Sequence, residues 1–256
     1  MNETLRSAVV TGGAGQIGRA VADELLAREV VDEVWCLDRQ CPLGDVDARI
    51  RFVEVELRDK ADLARVLSVL PAEIAVLVNA LGGEAKPTVD PVSDVNWPPM
   101  SVWDDIFGLN VTASYAITYA LHPRIPDGGA ICNVSSIAAT MPWIVSPAYG
   151  AAKAALEHWS RSLAVLLADR GIRVNMVRPG FVLSAQWGEV TRSEFDQVVA
   201  DRVLLQQFQD GNSITKEQFA SDVARSVAFL SSPSARHLTA QALEVDGGAS
   251  LVRAAR

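Results

Sequence analysis

Cysteine, histidine, tyrosine and lysine are all scarce in this chain: three, three, three and four of them in 256 residues. Cys36, Cys41 and Cys132 fall at no metal-ligand spacing, and an odd count gives no disulfide framework. Cys36 and Cys132 lie inside apolar runs and read as small buried residues. His122, His158 and His237 are widely scattered, so neither a metal site nor a catalytic histidine is expected. No basic excess exists either. The net charge is −8, and no Lys/Arg stripe offsets it, which argues against nucleic acid and anionic membranes as partners. No apolar window is long enough to span a bilayer. The amino-terminal MNETLRSAVVTGG has no basic region followed by a long apolar run, so no secretory signal is expected and a cytoplasmic location is.

What the chain does have is alternation. Hydrophobic residues make up 49% and charged residues 21%, an ordinary globular balance. Short apolar runs at 5–11, 31–38, 49–55, 73–79, 129–135, 172–178 and 242–246 read as strands. Helical patterns at 15–28, 60–70, 101–121, 147–169 and 216–231 lie between most of them. Near-continuous apolar strands fit a sheet buried on both faces. The expectation is an α/β fold: a doubly wound, mostly parallel sheet of about seven strands, of Rossmann type, with helices on both faces. Neither a repeat nor a charged linker divides residues 1–256, so one domain is expected. Two stretches break the rhythm and read as substrate-side or assembly loops: 82–100, with four prolines, and 184–214.

TGGAGQIG (11–18) follows the first strand and opens the first helix. Glycines there allow a tight turn and let backbone amides approach a pyrophosphate at the positive end of a helix. A simple tight turn is the other reading. The second strand ends in Asp38, 20 residues after Gly18, a distance that suits the ribose hydroxyls of an adenosine. A carboxylate there repels a 2′-phosphate, which favours NAD over NADP. Arg39 beside it can hold a phosphate and keeps NADP open. Further on, VSPAYGAAKAALEHW (145–159) places Tyr149 and Lys153 one helical turn apart on one face. Alone, that spacing fits a solvated surface pair equally well.

Taken in order, TGGAGQIG, Asp38, VNA (78–80), LNV (109–111), NVSS (133–136), YGAAK (149–153), NMVRPGFVLS (175–184) and LTAQALEVDGG (238–248) resemble the short-chain dehydrogenase/reductase family in its compact, single-domain branch. The resemblance implies a catalytic set of Asn110, Ser136, Tyr149 and Lys153. Tyr149 would move the proton at the substrate oxygen. A free phenol has a pKa of about 10, and a neighbouring Lys153 cation favours its phenolate. Ser136 would hydrogen-bond the reacting oxygen, with Ser135 as the competing choice, and Asn110 would hold a water that relays protons towards Lys153. The implied cofactor site takes in Gly12, Gly15, Gln16, Ile17, Gly18, Asp38, Arg39, Leu57, Asn79, Ala80, Tyr149, Lys153, Pro179, Gly180, Val182 and Ser184. Among these, Asn79 mainly stabilises the sheet beside the cofactor.

Several positions depart from the family pattern. Gln16 stands where the compact branch has glycine, Leu81 replaces a glycine near the adenosine ribose, with Gly82-Gly83 following, and Ala240 replaces another. The implied activity is NAD-dependent interconversion of a secondary alcohol and a ketone. The alternatives are an NADP-dependent ketoreductase, for example of acyl thioesters, a non-catalytic dinucleotide sensor, and an epimerase or dehydratase, which the short length opposes. Ser136, Met141, Trp143, Tyr149 and Trp187, with Thr140, would line a mainly apolar substrate pocket. A homotetramer or homodimer is implied as well, assembled through the two long helices and the carboxy-terminal strand region.

Overall fold

A computed structural model describes residues 5–41, 46–83, 97–142, 145–182, 191, 193–194, 196 and 218–251. Within them, β1 (Ser7–Thr11), β2 (Glu33–Asp38), β3 (Ile50–Glu54), β4 (Val76–Asn79), β5 (Ala130–Val134), β6 (Arg173–Pro179) and β7 (Ala242–Val245) form one sheet. Every pairing is parallel, and the order is β3-β2-β1-β4-β5-β6-β7. The expected fold class is the one observed. Chain direction across the sheet reverses between β1 and β4, which opens a crevice at the carboxyl ends of those strands.

Side-chain alternation divides the core in two. Ala8 and Val10 of β1 face one layer, which α1 (Gln16–Ala27) and α6 (Ala220–Ser231) cover with Val21, Leu25, Val223 and Val227. Val9 faces the other layer, beneath α4 (Ala113–Leu121) and α5 (Pro147–Leu166), where Ile117, Leu121 and Leu163 pack. Burying each such side chain stabilises the fold by roughly 1.5–3 kcal/mol. The shorter α2 (Lys60–Leu67) buries Val66 in this second layer. Among the described residues, no helix is long and apolar enough to cross a membrane.

Several helix bounds differ from the sequence expectation, and the last helix begins only at Ala220. The pattern at 60–70 ends as a helix at Leu67, and α5 stops at Leu166 before a 3₁₀ turn at Ala168–Arg170. The expected helix over 101–121 is two, α3 (Met100–Phe107) and α4, joined by a π turn at Gly108–Thr112 whose closing bond runs from Ala113 N–H to the Gly108 carbonyl. At the end of α1, Val30 N–H bonds the Leu25 carbonyl and Glu29 N–H that of Leu26, which forces Glu29 to φ 53°. An exposed glutamate gains nothing from that left-handed backbone. Glu29→Gly should therefore raise stability by about 0.5–1 kcal/mol, read as an increased urea midpoint at unchanged slope.

Candidate functional site

A cleft of about 540 Å³ opens over the carboxyl ends of β1, β2, β4, β5 and β6. One wall is the TGGAGQIG turn. Gly12 adopts φ 68°, and a β-carbon there would lie 2.8 Å from the Leu81 nitrogen. A β-carbon on Gly18 would overlap the Gly12 carbonyl oxygen, and one on Gly13 would overlap the Cys36 side chain. Only hydrogen at these positions lets turn, strand and helix meet. Gly15 caps α1 without a side-chain hydrogen bond, and the first turn holds no acidic residue. Those amides can therefore receive an anion. Gln16, in place of the family glycine, is the first residue of α1 and is exposed, so its side chain does not obstruct the turn. Asp38 ends β2 at the cleft, where its Oδ2 accepts the Ala14 N–H at 3.0 Å and its Oδ1 the Arg39 N–H at 2.7 Å. This set suits a pyrophosphate at the turn and hydroxyl donors at the carboxylate.

The opposite wall carries the chemistry-bearing side chains. Ser146 caps α5 by accepting the Tyr149 N–H at 3.4 Å, and Pro147 opens the helix. Tyr149, Lys153 and Ser136 all line the cleft. Lys153 is buried, donates from Nζ to the Val134 carbonyl at 3.0 Å, and lies 5.6 Å from the centre of the Tyr149 ring. Burial pulls its ammonium down to about 8, while the Glu157 charge opposes that fall. Ser136 Oγ accepts the Ala138 N–H at 3.2 Å. Ser135 Oγ instead donates to Glu157 at 2.8 Å.

Asn110 lies in the π turn, fully buried behind this wall. Its amide donates to the carbonyls of Gly83 at 2.8 Å and Ile106 at 2.9 Å, and its oxygen accepts the Gly83 N–H at 3.0 Å. A β-carbon on Gly82 would sit 2.7 Å from both Asn110 Oδ1 and Lys153 Nζ, so the two polar groups converge on a place only glycine can occupy.

Gly12, Gly15, Gln16, Ile17, Gly18, Ala80, Pro179, Gly180 and Val182 line the cleft as well. Five other expected residues, Leu57, Asn79, Arg39, Met141 and Thr140, do not. Leu57 lies in the turn after β3 and packs in the core layer with Val9 and Val55. Asn79 is buried, donating to Thr118 at 3.0 Å and to Asn133 at 2.8 Å, so it ties α4, β4 and β5 together. Arg39 pairs with Glu56 at 3.8 Å, and Met141 is buried beside the 3₁₀ turn that follows Ser136. Ser184, Trp143 and Trp187 lie outside the described residues, as do most of 82–100 and 184–214. Val134 and Val145 line the cleft without having been expected there. Glu157 was also missed, although it stands four residues after Lys153 on the same helical face.

Cys36 and Cys132 are buried, and that burial pushes both thiols up to about 12; Cys41 is exposed. Among the described residues no cluster of His, Cys, Asp or Glu could hold a metal ion.

Comparison with known proteins agrees with this geometry. Residues 14–250 match the family model described as enoyl-(acyl carrier protein) reductase. The chain is 30% identical over 260 residues to the 3-oxoacyl-[acyl-carrier-protein] reductase of Escherichia coli, covering 98% of this chain and 100% of that one. It is also 30% identical to (+)-borneol dehydrogenase 2 of Salvia officinalis, over 95% and 88% of the two chains. Among solved structures, a short-chain type dehydrogenase/reductase from Mycobacterium ulcerans superposes with a TM-score of 0.81 at 26% identity, covering 97% and 90%. The aldohexose dehydrogenase of Thermoplasma acidophilum shares the fold at a TM-score of 0.81 and 22% identity, over 98% and 96%. With the sheet order, the glycine turn and near-complete coverage in agreement, the chain belongs to the short-chain dehydrogenase/reductase family of nicotinamide-dependent oxidoreductases.

Proposed function

We propose that the protein is an NAD-dependent oxidoreductase that interconverts a secondary alcohol and a ketone, with Tyr149 as the acid/base. The observation behind this is the joint presence of Ser136, Tyr149 and Lys153 on one wall of a cleft whose other end holds the glycine turn and Asp38. When bound, the nicotinamide supplies the hydride acceptor or donor. The chain's own residues do the rest. The Lys153 ammonium stabilises the Tyr149 phenolate, which takes the proton of an alcohol or, protonated, returns it to a carbonyl oxygen. Ser136 Oγ holds that oxygen in place. Asn110 and the Gly83 backbone fix the floor behind Lys153. Gly12, Gly15 and Gly18, with the amino end of α1, would hold the pyrophosphate, and Asp38 the adenosine ribose.

Both named relatives support the reaction class, since a 3-oxoacyl group and a borneol differ from their products by the same ketone–alcohol step. Cyclic, mainly apolar secondary alcohols are the first substrates to test. An NADP-dependent ketoreductase is the second reading, favoured by Arg39 and by the acyl-carrier relative. Arg39, however, is drawn to Glu56, and the pair adds no net positive charge beside Asp38. Residues 1–256 act as one domain in the cytoplasm on this reading, as a homotetramer or homodimer. Tyr115 and Tyr119, exposed on α4, and the half-buried Trp159 of α5 form an aromatic face suited to a second copy.

Titration with NADH and with NADPH, followed by nicotinamide fluorescence, tests the assignment. Wild-type protein should bind NADH more tightly. Asp38→Ala should erase most of that difference, a change of about tenfold or more in the affinity ratio. Tighter NADPH binding by the wild type would turn the reading to ketone reduction.

A further inference from the structure

Glu157 is buried to 3% exposure and lies one turn beyond Lys153 on α5. Four hydrogen bonds converge on its carboxylate. Ser135 Oγ donates to Oε1 at 2.8 Å, Arg178 donates from Nε to Oε1 at 2.7 Å and from Nη2 to Oε2 at 2.6 Å, and Arg161 Nη2 donates to Oε2 at 3.2 Å. Arg178 continues to Glu244 of β7 at 3.0 Å. The elements joined in this way are those of the site. Ser135 lies between Val134, whose carbonyl accepts from Lys153, and Ser136. Arg178 immediately precedes Pro179-Gly180 of the cleft wall.

A carboxylate removed from water is costly unless it is paired and fully hydrogen-bonded, and this one is. Burial pushes the Glu157 carboxyl up, but the bonds from Arg178 and Ser135 and the two arginine charges outweigh it, leaving it below the usual range. It is therefore a fixed negative charge in the interior, close to a lysine that has no carboxylate among the described residues hydrogen-bonded to its Nζ.

We propose that Glu157 is a positioning residue for the Tyr149–Lys153 pair: clamped by Arg178 and Ser135, it locks the end of β5 to α5 and favours the ammonium form of Lys153. The surroundings leave few rivals for this role. On α5 the other titratable groups are Tyr149, the exposed His158 and Arg161. β6 contributes Arg178, β7 contributes Glu244, and β5 with the residues after it presents Asn133, Val134, Ser135 and Ser136, none of them charged. From α3 and the π turn come Ile106 and Asn110, both uncharged. Asp246, after β7, directs its carboxylate to the amides of Gly248 and Ser250. Burial lowers the Lys153 ammonium to about 8, and Glu157 is the one charge that opposes it there.

The inference rests on the roles proposed for Tyr149 and Lys153, but its test needs neither dinucleotide nor substrate, so the two can fail separately. The chain has four lysines, at 60, 86, 153 and 216. Carbon-13 labelling at lysine Cε gives one NMR signal for each, and single Lys→Arg replacements at 60, 86 and 216 leave the Lys153 signal by elimination. In the wild type its midpoint should fall near 8. Glu157→Gln removes the negative charge beside Lys153 and leaves Arg178 paired with Glu244 alone, so the midpoint should drop by about one pH unit. Arg178→Met removes the compensating cation, and the midpoint should rise. Opposite shifts are the expected result. Midpoints that stay put, or that rise together because water reaches a loosened Lys153, overturn the proposal. Should Glu157→Gln fail to fold, Arg178→Met decides alone: a rise supports the proposal, and no change or a fall overturns it.

Discussion

Tyr149→Phe should lower turnover of a secondary alcohol by roughly three orders of magnitude while leaving NADH affinity within about twofold. Phenylalanine keeps the ring that packs with Ile106, Ala148 and Ala152, and it keeps a ring face near Lys153. What it lacks is the oxygen proposed to carry the proton. The loss should therefore fall on kcat and on kcat/KM alike, with the thermal midpoint little changed. Steady-state kinetics beside a fluorescence titration would show it. Retained turnover would mean that another group moves the proton, and loss of NADH binding would mean that Tyr149 serves the site's architecture instead.

Gly18→Ala should be nearly as damaging, by a different route. The new methyl meets the Gly12 carbonyl oxygen, part of the backbone turn itself, and no flexible side chain can yield to it. Either α1 shifts away from β1 or the turn opens, and overpacking of this kind costs about 1–3 kcal/mol. Because the amino end of α1 and the turn are together proposed to hold the pyrophosphate, NADH affinity should fall about a hundredfold or more. Calorimetry and the same titration separate the two effects. Unchanged NADH binding in a folded variant would show that the pyrophosphate does not rest on this turn.

Legibility in the sequence followed the range of the interactions concerned. Strand and helix alternation, the TGGAGQIG turn and the Tyr149–Lys153 spacing depend on neighbours a few residues apart, and they could be read directly. Leu57 could be placed beside the adenosine only by its position after a strand. Past that strand, Val55 and Leu57 pack in the core and Glu56 meets Arg39. The acceptor for Lys153 is the Val134 carbonyl, 19 residues away, and the partner of Glu157 is Arg178, 21 residues away. No local pattern announces either. A glutamate on the buried face of an alanine-rich helix was a usable signal, but its meaning depended on which strand lay opposite. The π turn left no mark at all: GLNVT has no helix breaker beyond its first glycine.

That π turn holds five residues where an α turn needs four, so α3 and α4 keep their own faces, Ile106 towards α5 and Ile117 towards the sheet, across one surplus residue. Deleting a single residue from 108–112 would regularise the helix and leave both faces in phase. The cost would fall on Asn110, whose amide bonds the Ile106 carbonyl, the group its own backbone N–H would take in an uninterrupted helix. The helix thus separates into a part that answers to packing and one inserted residue that answers to the site. Shortening the chain by that residue would be a lesion of chemistry in a helix made more regular.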